Sequence, residues 1–478
     1  MMPESGTRSS AAEILIQLDR AAPVPLRAQL ERTLRELIRS GRLRAGELLP
    51  SSRTLAADLG VSRRLVVDAY DQLAAEGYLS SRVRSATRVG NVSAAADAIA
   101  TDEPPSVRYD LRPGVPALGE FPRPAWLRAT AHALRHTPDA ALAYPDPRGT
   151  AALRQAIAAY LRRVRAVDAE PQRIVICTGF RQGLSLLTRA LGRPVVALED
   201  PGLIGRDQTV AAANGSCVPI GVDELGARTD LLPASNADAA VVAPAHQFPL
   251  GVTLAPARRS QLLSWATQAG GLVIEDDYDA EFRYDRQPVG ALQGLAPEHV
   301  AYLGTTSKTL APALRLGWMV LPATLLDAVA EAKRSHDSGN PVIEQLTFAH
   351  LLDSGIYERH LRRMRRLYRH RRDTLLAALH RHLPEARVSG TAAGLHVMLT
   401  LPGEVSAAAV VRAAAGYDLG LAALERYQLT ADASGSSRLV LGYGNIVPSA
   451  IDTAVRRLAQ AAASQAPAPA GEGPGGQT

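Results

Sequence analysis

At 478 residues the chain exceeds what one hydrophobic core supports, so two or more domains are expected. Its composition, 46% hydrophobic and 21% charged, is that of a globular protein, and no apolar run approaches the roughly 18 to 20 residues of a membrane span. Two cysteines, Cys177 and Cys217, are too few for a disulfide framework or a cysteine zinc site, and the N-terminus lacks a signal-peptide pattern, so a cytoplasmic location is expected.

The net charge of +6 is modest, but arginine is concentrated in the first 90 residues, as in chains that meet nucleic acid. The segment beginning at Pro25 carries three helical patterns. Leu30, Leu34, Leu37 and Ile38 form a stripe before Gly41, and Leu55, Ala56 and Leu59 a second before Gly60. Ser62 is placed to cap a third helix, with Leu65, Val66, Ala69 and Leu73 facing inward until Gly77. A short helix, a turn at Gly60-Val61 and a longer helix opening on Ser-Arg-Arg make a helix-turn-helix, whose first turn offers Ser62, Arg63 and Arg64 to bases and phosphates.

Residues 24 to 90, with GRLRAGELLPSSRTLAADLGVSRRLVVDAYDQLAAEGYL, resemble the GntR winged-helix family. The resemblance implies operator contacts from Arg53, Ser62, Arg63 and Arg64. Where relatives carry wing-tip glycines this chain reads SRVRSATRV, and there Arg82 and Arg84 are the candidates to reach phosphates.

An Ala/Asp/Pro stretch follows, read as a linker over 91–110 between a DNA-binding domain at 14–90 and a body at 111–462. A low-complexity tail over 463–478 is expected to be disordered. Within the body, the runs RIVIC, PVVAL, AAVVA, GLVI and VAYL alternate with helical segments. Continuously apolar strands between helices predict an α/β domain around a mostly parallel sheet, with chemistry beyond the strands' carboxyl ends. The segment from Arg359 to Arg372, with eight arginines, reads as an amphipathic helix whose basic face is either merely solvated or a second DNA-tracking surface.

GLVI runs into Glu275-Asp276-Asp277-Tyr278, and VAYL into Gly304-Thr305-Thr306-Ser307-Lys308, so neighbouring strands bring a carboxylate and a lysine to one sheet edge. Pyridoxal phosphate requires that pair, a lysine for its Schiff base and a carboxylate for its pyridine nitrogen. Thr305, Ser307 and Arg315 suit its phosphate, as do the amides of Gly179, Phe180 and Arg181, which open a helix. Asp277, Asp279 and Glu281 read as surface groups, and no metal site is expected.

These motifs, with EDPG, PAHQFPLGVTL, GTTSKTLAPALRLGW and RLVLGYGN, resemble fold-type I aminotransferases, and more closely the MocR subfamily, in which a GntR head precedes an aminotransferase-like body with a smaller C-terminal α+β subdomain. The resemblance implies Lys308 as the cofactor lysine, Asp276 at the pyridine nitrogen, Tyr278 at the ring's phenolic oxygen, and His246 or Gln247 in the usual asparagine's role. It also implies a homodimer with Tyr144 reaching the other subunit's phosphate, each head docked on the other chain's body, and Arg438 clamping an α-carboxylate. After EDPG, Leu203 stands where many relatives have tyrosine. Function follows as a transcriptional regulator that binds operator DNA and senses pyridoxal phosphate or an amino compound, not primarily an enzyme. The alternative is an amino-acid aminotransferase with an accessory head.

Overall fold

The computed structural model describes residues 16–80, 86–90, 107–284, 289–403, 405–430 and 436–465. The chain divides into two compact units, the first ending at Pro105 and the second beginning at Ser106.

In the first unit, α1 (Leu26–Arg39), α2 (Ser52–Leu59) and α3 (Arg63–Ala75) precede an antiparallel pair, β1 (Leu79–Ser80) and β2 (Arg88–Val89). The hydroxyl of Ser51 accepts the Thr54 N–H at the start of α2, and that of Ser62 accepts the Leu65 N–H at the start of α3. Gly60 ends α2 at φ +64°, where a side chain would be strained, and so allows the abrupt turn into α3. Leu30, Leu34, Ile38, Leu55, Val66, Ala69 and Leu73 are buried together with Leu79 and Val89. Leu37, Leu59 and Leu65, expected inside, pack at the margin of this core. Each fully buried leucine contributes about 1.5 to 3 kcal/mol relative to exposure.

The second unit opens with β3 (Tyr109–Asp110), so the linker expected to run to Asp110 gives way to the body two residues earlier. The cause is a parallel pairing with β14, named below. Helices α4 (Arg123–His136) and α5 (Ala151–Arg165) follow. The central sheet then takes β4 (Ile174–Cys177), β5 (Val195–Asp200), β6 (Ser216–Asp223), β7 (Gly226–Ala227), β8 (Ala239–Val242), β9 (Leu272–Asp277), β10 (Val300–Thr305) and β11 (Gly317–Val320). Their spatial order is β4-β11-β10-β9-β8-β5-β6-β7. The pairings along β10-β9-β8-β5-β6 are parallel, while β11 and β7 run against their neighbours. All five apolar runs singled out in the sequence are strands of this sheet. Ile174–Cys177 and Ala239–Val242 are buried at every position, as a sheet covered on both faces requires. Helices α6 (Phe180–Ala190), α7 (Arg206–Ala212), α8 (Pro256–Ala269), α9 (Leu326–Asp337) and α10 (Val342–Asp353) complete this part.

The smaller part combines α11 (Ile356–His382), α12 (Ala407–Ala414) and α13 (Pro448–Ala463) with an antiparallel sheet of β12 (Arg387–Ser389), β13 (His396–Thr400) and β15 (Arg438–Gly442). Strand β14 (Leu419–Gly420) pairs with β3. On α11, Leu361, Met364 and Tyr368 are buried, as the helical spacing required, with Leu367 packed beside them. Several of its arginines are engaged by the fold. Arg363 binds Glu120 at 2.8 Å, Arg365 and Arg369 donate to the carbonyls of Glu281 and Tyr284, and buried Arg371 donates to Gly444 O. This engagement argues against α11 as a track for DNA.

Candidate cofactor site and nucleic-acid interface

Strands β9 and β10 lie in parallel register with Asp276 opposite Leu303, so both deliver their C-terminal residues to the same edge. The Lys308 amine donates to Gly114 O at 2.5 Å. Burial lowers its pKa, and the charges of Asp279 and Asp276 partly offset that. The Asp276 carboxylate has no hydrogen-bond partner among the described residues. Burial pushes its pKa up to about 8 against the opposing pull of Arg206, and Glu199, Asp277 and Asp279 push the same way. A desolvated carboxylate without a partner, beside a desolvated amine, is a site that a cationic ring nitrogen and an aldehyde would complete.

Next to this pair is a cup for an anion. Gly179, at φ +116°, leads into α6, and a Cβ built on it would meet Thr305 Oγ1 at 3.7 Å, so the helix N-terminus and the threonine adjoin. Thr305 Oγ1 donates to Ser307 Oγ at 2.9 Å and accepts the Ser307 N–H at 3.1 Å. Arg315 is exposed, has no ion pair among the described residues, and is held at φ +50° just before Leu316, whose carbonyl accepts the Thr306 N–H. Arg181 is different: its guanidinium donates to Ile204 O at 2.8 Å, leaving its backbone amide as its contribution, while Phe180 is half-buried.

The ring-side residues fall into two kinds. Gln247 is buried and committed to the protein, its amide donating to Pro201 O at 2.9 Å and Phe248 O at 2.7 Å while its oxygen accepts the Leu250 N–H. Its amide protons and its oxygen are thus all engaged within the protein. His246 packs against Tyr278, ring centroids 6.1 Å apart, and its Nδ1 lies 2.9 Å from Asp279 Oδ2 and 3.1 Å from the Tyr278 hydroxyl. Asp277 and Asp279, which read as surface groups in the sequence, are buried instead. Asp277 binds Arg165 at 2.7 Å and Tyr302 at 2.6 Å, and Asp279 holds His246. The acidic run ends a strand inside the body, so its side chains alternate into networks on both sides rather than into solvent. Sequence reasoning also misses Arg206, buried beside Asp276, and Lys333, wholly buried, which pairs with Asp337 at 2.9 Å beneath α6. No motif flags either.

Arg438 opens β15 opposite Thr400, exposed and without an ion pair among the described residues. It stands four positions, roughly 13 Å, from Gly442, which packs on Arg112-Pro113 just before the Gly114 that meets Lys308. Tyr144 is 96% exposed. In the first unit, Arg53, Ser62 and Arg63 are exposed at the starts of α2 and α3, and the Arg64 side chain is 90% exposed. Arg82 and Arg84 lie outside the described residues.

The sheet topology, the lysine and carboxylate at its edge and the adjoining anion cup define a fold-type I pyridoxal-phosphate protein fused to a helix-turn-helix. Residues 111–457 match the family described as aminotransferase class I and II, and residues 26–89 match bacterial regulatory proteins of the gntR family. The chain is 31% identical over 473 residues to the probable rhizopine catabolism regulatory protein MocR of Rhizobium meliloti, covering 94% of this chain and 96% of that one. It is 34% identical over 450 residues to the pyridoxine biosynthesis transcriptional regulator PdxR of Corynebacterium glutamicum, covering 91% and 95%. Among solved structures it resembles LysN, the α-aminoadipate aminotransferase of Thermus thermophilus complexed with N-(5'-phosphopyridoxyl)-L-leucine, at TM-score 0.68 and 27% identity over 75% of this chain and 93% of that one. The chain belongs to the MocR subfamily of GntR transcriptional regulators, and its cofactor is pyridoxal 5'-phosphate.

Proposed function

We propose that the body is the sensor of this regulator and the head its output, with a ligand at the cofactor site altering how the protein holds operator DNA. The observation that carries this reading is the pairing, in one chain, of exposed arginines on a helix-turn-helix with a lysine, a carboxylate and an anion cup arranged for a cofactor. Bound pyridoxal phosphate supplies an aldehyde for amines and an electron-withdrawing ring. Lys308 would hold that aldehyde through its amine. Asp276 would pair with the ring nitrogen and keep it protonated, and Tyr278 would donate to the phenolic oxygen. Gly179, Phe180 and Arg181 offer amides to the phosphate, and Thr305, Ser307 and Arg315 offer hydroxyls and a guanidinium. In the head, Arg53, Ser62, Arg63 and Arg64 contact operator DNA.

The acting species is a homodimer in the cytoplasm. Leu127 and Leu134, seven residues apart on one face of α4, are exposed with Leu142 and Tyr144, an apolar surface that a second copy would cover, taking Tyr144 to the other subunit's phosphate. The likeness to LysN favours, as a second reading, a slow transamination half-reaction at the same residues. The deciding experiment is a gel shift of the purified protein on DNA upstream of its own and neighbouring genes, with and without pyridoxal phosphate or added amines. A specific shift that a ligand alters supports the sensor. A specific shift indifferent to every ligand overturns it, and no specific shift with turnover of an amino acid favours the aminotransferase.

A further inference from the structure

The hydrogen bonding around His246 leaves one question with a structural answer: which group donates to the cofactor ring's phenolic oxygen, and what holds that donor in place. Gln247 directs its amide protons to Pro201 O and Phe248 O. His246 Nδ1 faces both oxygens of Asp279, at 2.9 and 3.2 Å, inside a site where the two side chains are almost wholly buried. A carboxylate offers only acceptors, so the proton between them sits on Nδ1. A protonated Nδ1 has no lone pair. The Tyr278 hydroxyl, 3.1 Å away, therefore cannot donate to it, and its proton is left to Asp279, with which it also hydrogen-bonds, or to a cofactor oxygen. Burial, after it the charges of Asp279 and Asp276, and then a hydrogen bond with Asp279 raise the Tyr278 pKa well above its usual value, so the phenol keeps that proton.

We infer that His246 and Asp279 are a positioning pair that turns the Tyr278 hydroxyl proton into the cofactor site, leaving Tyr278 the donor to the phenolic oxygen in place of both His246 and Gln247. This rests on the placement of the ring beside Tyr278 proposed above. The surrounding chain is shaped to admit the pair. A Cβ on Gly394, which sits at φ +68°, would fall 2.1 Å from His246 Cε1 and 2.6 Å from Asp279 Oδ2, so only glycine lets that backbone pass. The hydroxyls of Tyr284 and Tyr443 both donate to Gly394 O, at 2.5 and 2.8 Å, and fix it there. His396 of β13 closes the other side, its ring centroid 5.0 Å from that of His246 and its Nε2 on Pro249 O at 3.1 Å. The edge of Phe248 completes the wall against Tyr278. The titratable groups facing Tyr278 and His246 are thus Asp276 and Asp279 at the end of β9, Glu199 of β5, His396 of β13, and Lys308 beyond β10.

The test follows the visible absorbance of the cofactor bound to the full-length protein as a function of pH. When the bound cofactor loses its proton, the phenolic oxygen needs a donor most, so a donor there stabilises the deprotonated form and lowers the transition pH. Tyr278→Phe, which deletes the donor, should raise that pH by about one to two units, roughly 10- to 100-fold in proton affinity. Asp279→Asn, which removes the acceptor that fixes the proton on Nδ1, should raise it in the same direction, and the double variant should match Tyr278→Phe alone, because both act through one hydroxyl. His246→Phe carries the same expectation and keeps the test standing where Asp279→Asn does not fold. If Tyr278→Phe shifts the transition while Asp279→Asn and His246→Phe leave it in place, or if their shifts add in full to that of Tyr278→Phe, the positioning pair is wrong. If Tyr278→Phe itself leaves the transition unchanged, the placement of the ring falls, and the pair falls with it.

Discussion

The two units deploy their charges in opposite ways. In the head, Arg53, Arg63 and Arg64 stand exposed at the starts of two capped helices, and the nearest carboxylate to Arg64, that of Asp68, is 4.0 Å away in solvent. In the body, the acidic run after β9 is desolvated and tied to buried partners: Asp277 to Arg165, Asp279 to His246, and Asp276 under the influence of Arg206. A surface that binds a polyanion by displacing counterions works best with charges that are accessible and uncommitted. A site that must respond to a small ligand needs charges taken out of water, where one new partner changes the energy of several groups. Head substitutions should therefore act singly, and body substitutions should spread through a network.

The largest effect expected is at Lys308. Lys308→Ala should abolish the covalent visible absorbance of the cofactor and the ligand-dependent part of DNA binding, while ligand-free operator binding measured by gel shift stays near wild type. A ligand response surviving in that variant would break the division between sensor and output. Next comes pH. Asp276 binds its proton more tightly in the fold, at about 8, than at its unperturbed 3.8, so the folded apo-protein holds more protons between those values. Stability of the cofactor-free protein should accordingly be greatest at the acid end of this window and fall as pH rises through it, at no more than about 1.4 kcal/mol per pH unit for one group. Glu199 and Glu275, both raised to about 7 by burial, share the lower part of the window. Asp276→Asn should flatten the upper part, between about pH 7 and 8, in a thermal melt series, and saturating cofactor should do the same in the parent protein. A melt curve that rises with pH over this range would invert the assignment.

How far these features can be read from the chain differs by unit for the same reason. The head is legible in detail because its devices are local: Ser51 and Ser62 each cap a helix by reaching an amide three residues on, Gly60 turns, and the apolar stripe repeats every three to four residues. The body's strands, Lys308 and Asp276 are legible because apolar runs end in polar residues at a sheet edge. What is not legible is long-range. Asp279 meets His246 across 33 positions, Lys308 meets Gly114 across 194, and Asp277 looks like a surface group until alternation on β9 puts it inward against Arg165 of α5. Buried Lys333 looks in sequence like any helical lysine, and only the closure of α9 on α6 hides it. Arg438 matches a motif by its letters, while its place opposite Thr400 at the start of β15 is set by pairing with a distant strand.

The smaller effects sharpen the head's side of the contrast. Arg63→Ala should weaken operator binding by about 1 to 3 kcal/mol if the side chain reads a base edge, with loss of discrimination at one base position, and should leave cofactor absorbance untouched. Unchanged affinity in a salt titration would remove it from the interface.

Ser62→Ala separates positioning from contact at the same turn. The hydroxyl accepts the Leu65 N–H at 3.3 Å, so its loss should destabilise the head by about 1 kcal/mol in a denaturant melt. If Ser62 only caps, Ser62→Asp, which keeps an acceptor on the N-terminus of α3, restores the melt but weakens DNA binding by placing a negative charge against phosphate. If Ser62 also touches DNA, Ser62→Ala loses affinity beyond what the melt explains at temperatures where the head is fully folded. Either result tells whether the first turn of α3 carries its binding on arginines alone, as the exposure of Arg63 and Arg64 implies.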